Sequence, residues 1–416
     1  MFTSAYAPYV TADLEEHRKS VRQWAERELA PLRDKFEEAN IDGIGKNHPI
    51  EIYREIGKRG LLAQHVPKQY GGAGKSFVAE IIAIEEIARV SPTFSALVDY
   101  TPTLVCNPIL MFGTEEQKRK YLAPLVSGEK LGSYALTEPR WGSDVASMDA
   151  RAEKRGGEYV IVGHKKFITF GNLADVVLVY AKTKPEAGGR GITAFIVESK
   201  TSGISYPKQE RKMGLKAAPV SEIKFDGVRV PAENILGGPE QENRGIYVAL
   251  DALNQGRCGV AAQGVGVAQA ALEQATRYAS ERVQSGAPII NLGAIQWMIA
   301  DMATKLDAAR LLTYRASYLR DLYVKGQIKD GKIINAPAAM AKCYASEAAT
   351  FSAHRAIQIF GGRGYMSDPE YAPIKELPTP EQLYRDCRIF EIYEGTNEIQ
   401  RYVIARETAA TYGKKA

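Results

Sequence analysis

Twice along this 416-residue chain the apolar residues change their spacing, from every third or fourth position to every second and back again. No other feature constrains the fold as much, because helix and strand bury different residue periods and one segment cannot satisfy both. The first stretch reads as helices. Val21, Trp24, Ala25 and Leu29 mark one within Glu15 to Ala30, which Pro31 is expected to kink or end. Others follow at Pro49 to Leu62, at Ser76 to Val90 with its isoleucines at 81, 82, 84 and 87, and at Glu115 to Leu122. Short β-rich runs then appear: Tyr159 to Val162, Val176 to Tyr180, Thr193 to Val197 and Glu222 to Phe225, separated by Gly, Lys and Pro clusters. Gly237-Gly238-Pro239 closes that region. From Tyr247 the helical period returns, at Ala261 to Arg282, Ala294 to Ala316 and Ala338 to Phe360, with Pro369, Pro373, Pro378 and Pro380 interrupting it. A chain this long exceeds one ordinary core. The reading is an α+β multidomain protein, with an α-helical domain over 1–131, an antiparallel β-domain over 132–240 and an α-helical bundle over 241–416.

Several function classes fall away on composition. No apolar run approaches the roughly 18 residues of a membrane span. Met1 to Tyr6 carries no basic stretch and no apolar core behind it, and Asp13, Glu15 and Glu16 come early, so a cytoplasmic protein is expected. The net charge of +5 is spread among interspersed acids, which argues against a nucleic-acid partner. Cys106, Cys258, Cys343 and Cys387 stand far apart, and none of the five histidines forms an HxxxH pair, so neither a disulfide scaffold nor a metal site is expected. Two glycine clusters mislead. Gly72 to Ser76 ends like a phosphate loop, but Gln69 stands where its first glycine belongs, and a surface turn is expected. Gly264 and Gly266 lack a third glycine at Gln269 and sit in helical sequence, which points to close helix packing.

Three segments carry specific chemistry: Tyr134-Ala-Leu-Thr-Glu-Pro-Arg-Trp-Gly-Ser-Asp144, Lys165-Lys-Phe-Ile-Thr-Phe-Gly171 and Ile392-Tyr-Glu-Gly-Thr-Asn-Glu-Ile-Gln-Arg401. In this order, and with Tyr278 to Arg282 and Gln358 to Tyr365 between them, they make the chain resemble the acyl-CoA dehydrogenase family over nearly its whole length. The resemblance implies an N-terminal helical domain, a middle antiparallel β-domain and a C-terminal four-helix bundle, with FAD where the β-domain meets the bundle and a second chain. It implies α,β-dehydrogenation of an acyl-CoA thioester, with electrons passed to electron-transfer flavoprotein.

The residue types suit that chemistry. Desaturating a thioester removes a weakly acidic α-proton, so a carboxylate must sit in a dry pocket where loss of water makes it a better base. Glu394, between Tyr393 and Gly395, is the base that the resemblance implies, its backbone N–H joining a ribityl hydroxyl of FAD around the thioester carbonyl. The resemblance further places Tyr134, Leu136, Thr137, Gly142 and Ser143 on one side of the flavin and Phe167, Ile168 and Thr169 on the other. Arg282 and Gln284 would reach the FAD of a neighbouring subunit, with Gln358, Gly361 and Gly362 at its diphosphate and Thr396 and Glu398 at its adenine end. FAD shared in this way needs at least a dimer, and the family's common state is a tetramer. Ser143, Asp99, Tyr100, Asn254, Arg257, Tyr393 and Gly395 are the expected substrate contacts, and the mildly basic surface suits coenzyme A.

Departures from the family pattern bear on the substrate. Phe167 replaces a frequent Trp, Asn254 a usual Asp, Ser285 a common aromatic and Gly293 a common Gln, while Gln296 remains. Arg140 and Trp141 stand where small residues are usual, and Trp141 either narrows the pocket or stacks on an acyl ring, or else points outward. Residues 367–380 form a longer link than usual, over the active site or at a subunit contact. Val98-Asp99-Tyr100-Thr101 would make the far wall of the acyl pocket, and polar groups there disfavour a long straight chain. Asp99 is either a second acid–base group or a hydrogen-bonded structural acid. With no Arg between Arg89 and Arg119, a glutaryl-type substrate lacks its partner. The expected acyl group is short, branched, cyclic or otherwise functionalised. Rival readings are an acyl-CoA oxidase using oxygen and a non-catalytic flavin-binding partner protein.

Overall fold

Helices α1 (Ala12–Trp24), α2 (Ala30–Ala39), α3 (Ile50–Lys58), α4 (Phe77–Val90), α5 (Pro92–Thr101), α6 (Asn107–Phe112) and α7 (Glu115–Val126) form the first third of the chain. The computed structural model describes residues 8–40 and 47–413, so the reading of Met1 to Tyr6 lies outside the described residues. Pro31 does not end its helix as expected. Ala25–Leu29 form a π turn that runs directly into α2, and Pro31 falls in the first turn of α2. Ser76 starts α4 by accepting the Ala79 N–H. α4 is buried on every face, which explains an apolar pattern with little sidedness. Its acids are held by cations from other helices: Arg18 Nη1 lies 2.8 Å from Glu86 Oε1, and Arg310 Nε lies 2.9 Å from Glu85 Oε1.

The middle of the chain supplies β1 (Gly132–Ala135), β2 (Arg151–Arg155), β3 (Glu158–Thr169), β4 (Val176–Lys182), β5 (Ile192–Glu198), β6 (Ile204–Ser205) and β7 (Val220–Pro231). The four runs seen in the sequence are β3, β4, β5 and β7. β1 contains no β-branched residue, and β2, Arg-Ala-Glu-Lys-Arg, buries only Ala152, so neither advertises itself. Pairing is antiparallel except that β1 lies parallel to β4 and β2 meets β4 in parallel at Arg151.

The last part holds α8 (Gly245–Glu281), the small hairpin β8 (Val283–Gln284) and β9 (Ala287–Pro288), then α9 (Gly293–Val324), α10 (Asn335–Phe360), α11 (Gly362–Tyr365), α12 (Pro380–Cys387) and α13 (Asn397–Tyr412). α8 packs against α9, α10 and α4, and α13 lies along α10. Gly264 and Gly266 permit this closeness. A Cβ on Gly264 would stand 2.7 Å from the Ala345 carbonyl oxygen of α10, and one on Gly266 2.3 Å from that of Glu85 on α4. No described helix is long and apolar enough to cross a membrane.

Candidate active site

The turn carrying Glu394 is made by local backbone geometry. A 3-10 turn at Arg388–Glu391 ends with the Tyr393 N–H on the Ile389 carbonyl, 3.1 Å away. Glu394 and Gly395 then both take positive φ, +53° and +88°, and Thr396 caps α13 by accepting the Ile399 N–H. Glycine adopts such a φ freely, whereas glutamate does so at a cost, a form of strain that clusters at functional sites. Three side chains hold the turn in place. Lys342 of α10 donates to the Gly395 carbonyl and to Asn397 Oδ1, both at 2.9 Å, and Gln400 Nε2 donates to the same carbonyl at 2.8 Å. Asn397 Nδ2 in turn reaches Ser346 Oγ at 3.0 Å.

Held in this way, Glu394 points its carboxylate inward over α8. The residue as a whole is half-buried, but both carboxylate oxygens are shut from solvent and neither has a hydrogen-bond partner among the described residues. Room for it comes from Gly256, where a Cβ would stand 1.8 Å from Glu394 Oε2. Burial raises its pKa to about 8, against the pull of Lys342 and Arg257. Burial pushes Lys342 the opposite way, down to about 8, against the attraction of Glu394. Arg257 is also buried, with its Nη1 donating to Asn254 Oδ1 at 2.8 Å, while Asn254 Nδ2 reaches Asn335 at 2.8 Å. Asn254 therefore orients Arg257 toward the turn, where Arg257 Nη2 would lie 3.8 Å from a Cβ on Gly395.

Aromatic rings shield the carboxylate. Tyr393 meets Tyr100 edge-on with ring centres 5.7 Å apart, stacks near Phe390 at 5.9 Å, and donates its hydroxyl to Gln263 of α8. Tyr100 sits 6.2 Å from Phe170. Asp99, next to Tyr100 on α5, is fully buried, and a Cβ on Gly259 would stand 2.0 Å from its Oδ1.

The two segments expected to flank a flavin are joined at the ends of β1 and β3. Ser133 Oγ donates to the Thr169 carbonyl at 2.7 Å, and the Lys166 N–H to that of Thr137 at 2.9 Å. Buried Lys165 bonds the Leu136 carbonyl at 3.0 Å and Glu138 at 2.8 Å, while Glu138 also accepts the backbone N–H groups of Asp149 and Ala150. That clamp fixes the loop bearing Gly142 and Ser143, both of them exposed. β3 shifts register between Lys165 and Ile168, and Phe167 has a φ of +59° there, so the bulge turns its ring outward, 59% exposed, while Ile168 points into the core. Tyr134 packs on Tyr180 at 5.0 Å.

The remaining expected residues gather elsewhere. Arg282 and Gln284 follow α8, and Gln358, Gly361 and Gly362 end α10; the stacked rings of Tyr278 and Phe360, 4.1 Å apart, bring those two ends together. From Arg257 to Arg282 the helix advances about 37 Å, so this group lies far from Glu394 of its own chain. Glu398 is exposed on the first turn of α13. Trp141 stays at the surface, its Nε1 on Asp149 at 2.9 Å and the Arg140 guanidinium 5.0 Å from its ring. Residues 367–380 do not cover Glu394. Gln274, further along α8, donates to the Ile374 carbonyl at 2.9 Å, and Arg33 of α2 to that of Glu376 at 2.9 Å. Lys342, Gly256, Gly259, Gln263 and Asn397 went unread in the sequence, although a lone Lys inside the alanine-rich run 338–345 is a signal in itself.

Comparison with known proteins agrees with this fold. Three family profiles match in order: Acyl-CoA dehydrogenase, N-terminal domain over residues 11–129, the middle domain over 133–228 and the C-terminal domain over 243–409. An acyl-CoA dehydrogenase of Bacillus subtilis is 44% identical over 398 residues, 96% of this chain and 98% of the relative. The caffeyl-CoA reductase-Etf complex subunit CarC of Acetobacterium woodii is 43% identical over 389 residues, 93% and 96% of the two chains. Among solved structures, butyryl-CoA dehydrogenase from Megasphaera elsdenii aligns with a TM-score of 0.86 at 37% identity, covering 96% and 98%. A glutaryl-CoA dehydrogenase from Mycobacterium smegmatis in complex with FADH2 aligns with a TM-score of 0.84 at 28% identity, covering 98% and 96%.

Proposed function

The chain belongs to the acyl-CoA dehydrogenase family, whose enzymes act on the CH–CH bond of acyl-CoA with FAD, and from this we propose that Glu394 is its catalytic base and a short, branched or cyclic acyl-CoA its substrate. The observation that carries the reading is the Glu394 carboxylate, buried, without a hydrogen-bond partner and aimed over Gly256. A structural carboxylate would be paired, as Glu138 is by Lys165. Bound FAD would supply the acceptor for the β-hydrogen and its electron pair. The residues fit it. Phe167 offers an exposed ring at the joined ends of β1 and β3, and at Gly142 a Cβ would meet nothing within 4 Å, leaving backbone open to a close ligand.

Glu394 takes the α-proton from a substrate that lies between Tyr393 and the Gly256 face of α8, in a space from which water is excluded. Leu104 narrows that space, its Cδ2 standing 3.0 Å from a Cβ on Gly256, and Tyr100 and Asp99 close it from α5, which is the case for a short acyl group. Lys342 favours the ionised form of the base. Replacing Lys342 by Met removes that support and raises the Glu394 pKa further, by on the order of one unit. The rise of kcat/KM with pH then moves to higher pH, and the rate near pH 7 falls about tenfold; an unmoved profile means that Lys342 does not act on the base.

The acceptor in this reading is electron-transfer flavoprotein, supported by the naming of CarC as part of an Etf complex. Homo-oligomerisation is part of the reading too. The Arg282 and Gly361 ends of the bundle lie too far from Glu394 to serve the same flavin, and Trp297, near the start of α9, is 74% exposed, as a surface that meets a second copy would be. An anaerobic titration of the purified flavoprotein with a panel of acyl-CoAs tests the substrate class. Bleaching of the visible flavin band by short, branched or cyclic thioesters is the expected result, and strongest bleaching by palmitoyl-CoA overturns it.

A further inference from the structure

The described buried acids outside the active-site turn are mostly accounted for by partners. Glu85 and Glu86 are matched by Arg18 and Arg310, Glu138 by Lys165, and Glu80 accepts from or donates to His65 at 2.7 Å. Asp321 accepts the N–H groups of Phe77 and Val78 at the start of α4, and Asp386 accepts that of Leu215. Asp99 differs. It is 0% exposed, its Oδ1 accepts only the Thr103 hydroxyl at 3.1 Å, and its Oδ2 has no hydrogen-bond partner among the described residues. Among the described residues no ion pair reaches it. The charged groups that act on it are the acids Glu394 and Glu80, which together with burial hold its pKa well above the ordinary carboxylate range, while Thr103 works the other way.

Asp99 also shares its surroundings with the base. Glu394 Oε2 fills the place of a Cβ on Gly256, and Asp99 Oδ1 fills that of a Cβ on Gly259. Positions three apart on a helix face the same side, with Cβ atoms about 5–6 Å from each other. The two carboxyl groups therefore stand side by side over one turn of α8. Glycine inside a helix lowers its stability relative to alanine, and at both of these positions in α8 it makes room for an acid. Two carboxyls this close in a dry site resist being ionised together, and the form of the pair able to act as a base carries one proton between them. Lys342 and Arg257 favour ionisation of Glu394, whereas Asp99 has only the neutral Thr103 hydroxyl and no cation acting on it, so Asp99 is the acid of the pair that keeps its proton.

We propose that Asp99 is a second proton-transfer residue of this pocket, exchanging a proton with a carbon of the acyl group beyond the α-carbon, and that the acyl group is therefore cyclic or unsaturated. The inference rests on the assignment of Glu394 as the α-proton base. A carboxylic acid is far too weak a partner for an isolated C–H bond, so the remote carbon must be conjugated with the thioester. The step balances without an oxidant. Glu394 takes the α-proton of a β,γ-unsaturated thioester, and the electron pair of that C–H bond spreads over the carbonyl oxygen and the former double bond. Asp99 then delivers its proton to the γ-carbon, where a new C–H bond forms and the double bond settles between α and β. Run backward, Asp99 removes the γ-proton of an α,β-unsaturated thioester. The pair begins and ends each passage with one proton between its two carboxyls.

Isotope exchange tests this apart from flavin reduction. The holoenzyme is held anaerobically in D2O, without an electron acceptor, together with cyclohex-1-ene-1-carbonyl-CoA to report the γ-position and butyryl-CoA to report the α-position. Deuterium is located by mass spectrometry and NMR. The wild type is expected to label both positions. The Asp99→Asn variant, which keeps the size of the side chain and its acceptor for Thr103, is expected to lower γ-labelling relative to its own α-labelling by ~10²-fold, with flavin content kept. Undiminished γ-labelling in the variant overturns the proposal. So does a wild type that labels α but never γ. A wild type that labels neither position overturns the assignment of Glu394, and the role of Asp99 falls with it.

Discussion

Replacing Glu394 by Gln is expected to lower turnover of acyl-CoA by ~10²–10⁴-fold and, in the same protein, to raise its thermal stability at alkaline pH. The first effect follows from losing the group proposed to take the α-proton, since an amide of the same shape has no basic oxygen. The second follows from the charge. Glu394 has its pKa raised from 4.5 to about 8 by burial, so the folded state binds this proton more tightly than the unfolded state does. Stability from that proton is fully present below about pH 4.5 and is lost as pH rises through about 8, where folding must hold a buried anion. Gln carries no such charge. The melting temperatures of wild type and variant should coincide near pH 4.5 and separate by a few degrees near pH 9, with the variant higher. An alkaline melting temperature no higher than that of the wild type would show that the carboxylate is already well stabilised in its site, and a wild-type turnover rate would remove Glu394 from the chemistry.

Glu394 is legible in the sequence because its signal is local. A carboxylate between an aromatic residue and a glycine, just before a capping Thr396, is an unusual combination, and the positive φ values of Glu394 and Gly395 are the backbone form of the same fact. Phe167 to Thr169 read correctly as bordering a strand, but the bulge that turns Phe167 outward is set by pairing of β3 with β7, far away in the sequence. β2 escapes notice because its residues are those of an exposed edge segment, and only its neighbours make it a strand. Pro31 misleads because a π turn just before it runs directly into α2. The support of the active-site turn is nonlocal as well. Lys342 reaches Gly395 across more than fifty positions of chain, and its only trace in the sequence is a charge in an alanine-rich helix. Asp99 presented two readings, and its unpaired Oδ2 and the hollow at Gly259 become visible only when α5 and α8 are packed together.

The same packing makes Gly256→Ala the sharpest steric probe of the site, and its expected result is a loss of about 10²-fold in kcat without loss of the fold. By helix propensity alone the change should stabilise α8, by about 1 kcal/mol. The new methyl carbon, however, would stand 1.8 Å from Glu394 Oε2 and 2.7 Å from its Cδ, so the carboxylate has to move. It is free to do so, because neither oxygen is held by a hydrogen bond, and swinging the end of a flexible side chain disturbs little else. The base is then displaced by more than an ångström from the α-carbon it must reach, and proton transfer depends steeply on that distance. Flavin content and melting temperature should remain at or above the wild-type values while kcat falls. Gly259→Ala, which crowds Asp99 in place of Glu394, should leave α-proton exchange nearly intact. If Gly256→Ala turns over at the wild-type rate, the resting place of the carboxylate over α8 is not where it works, and the hollow at Gly256 belongs to packing alone.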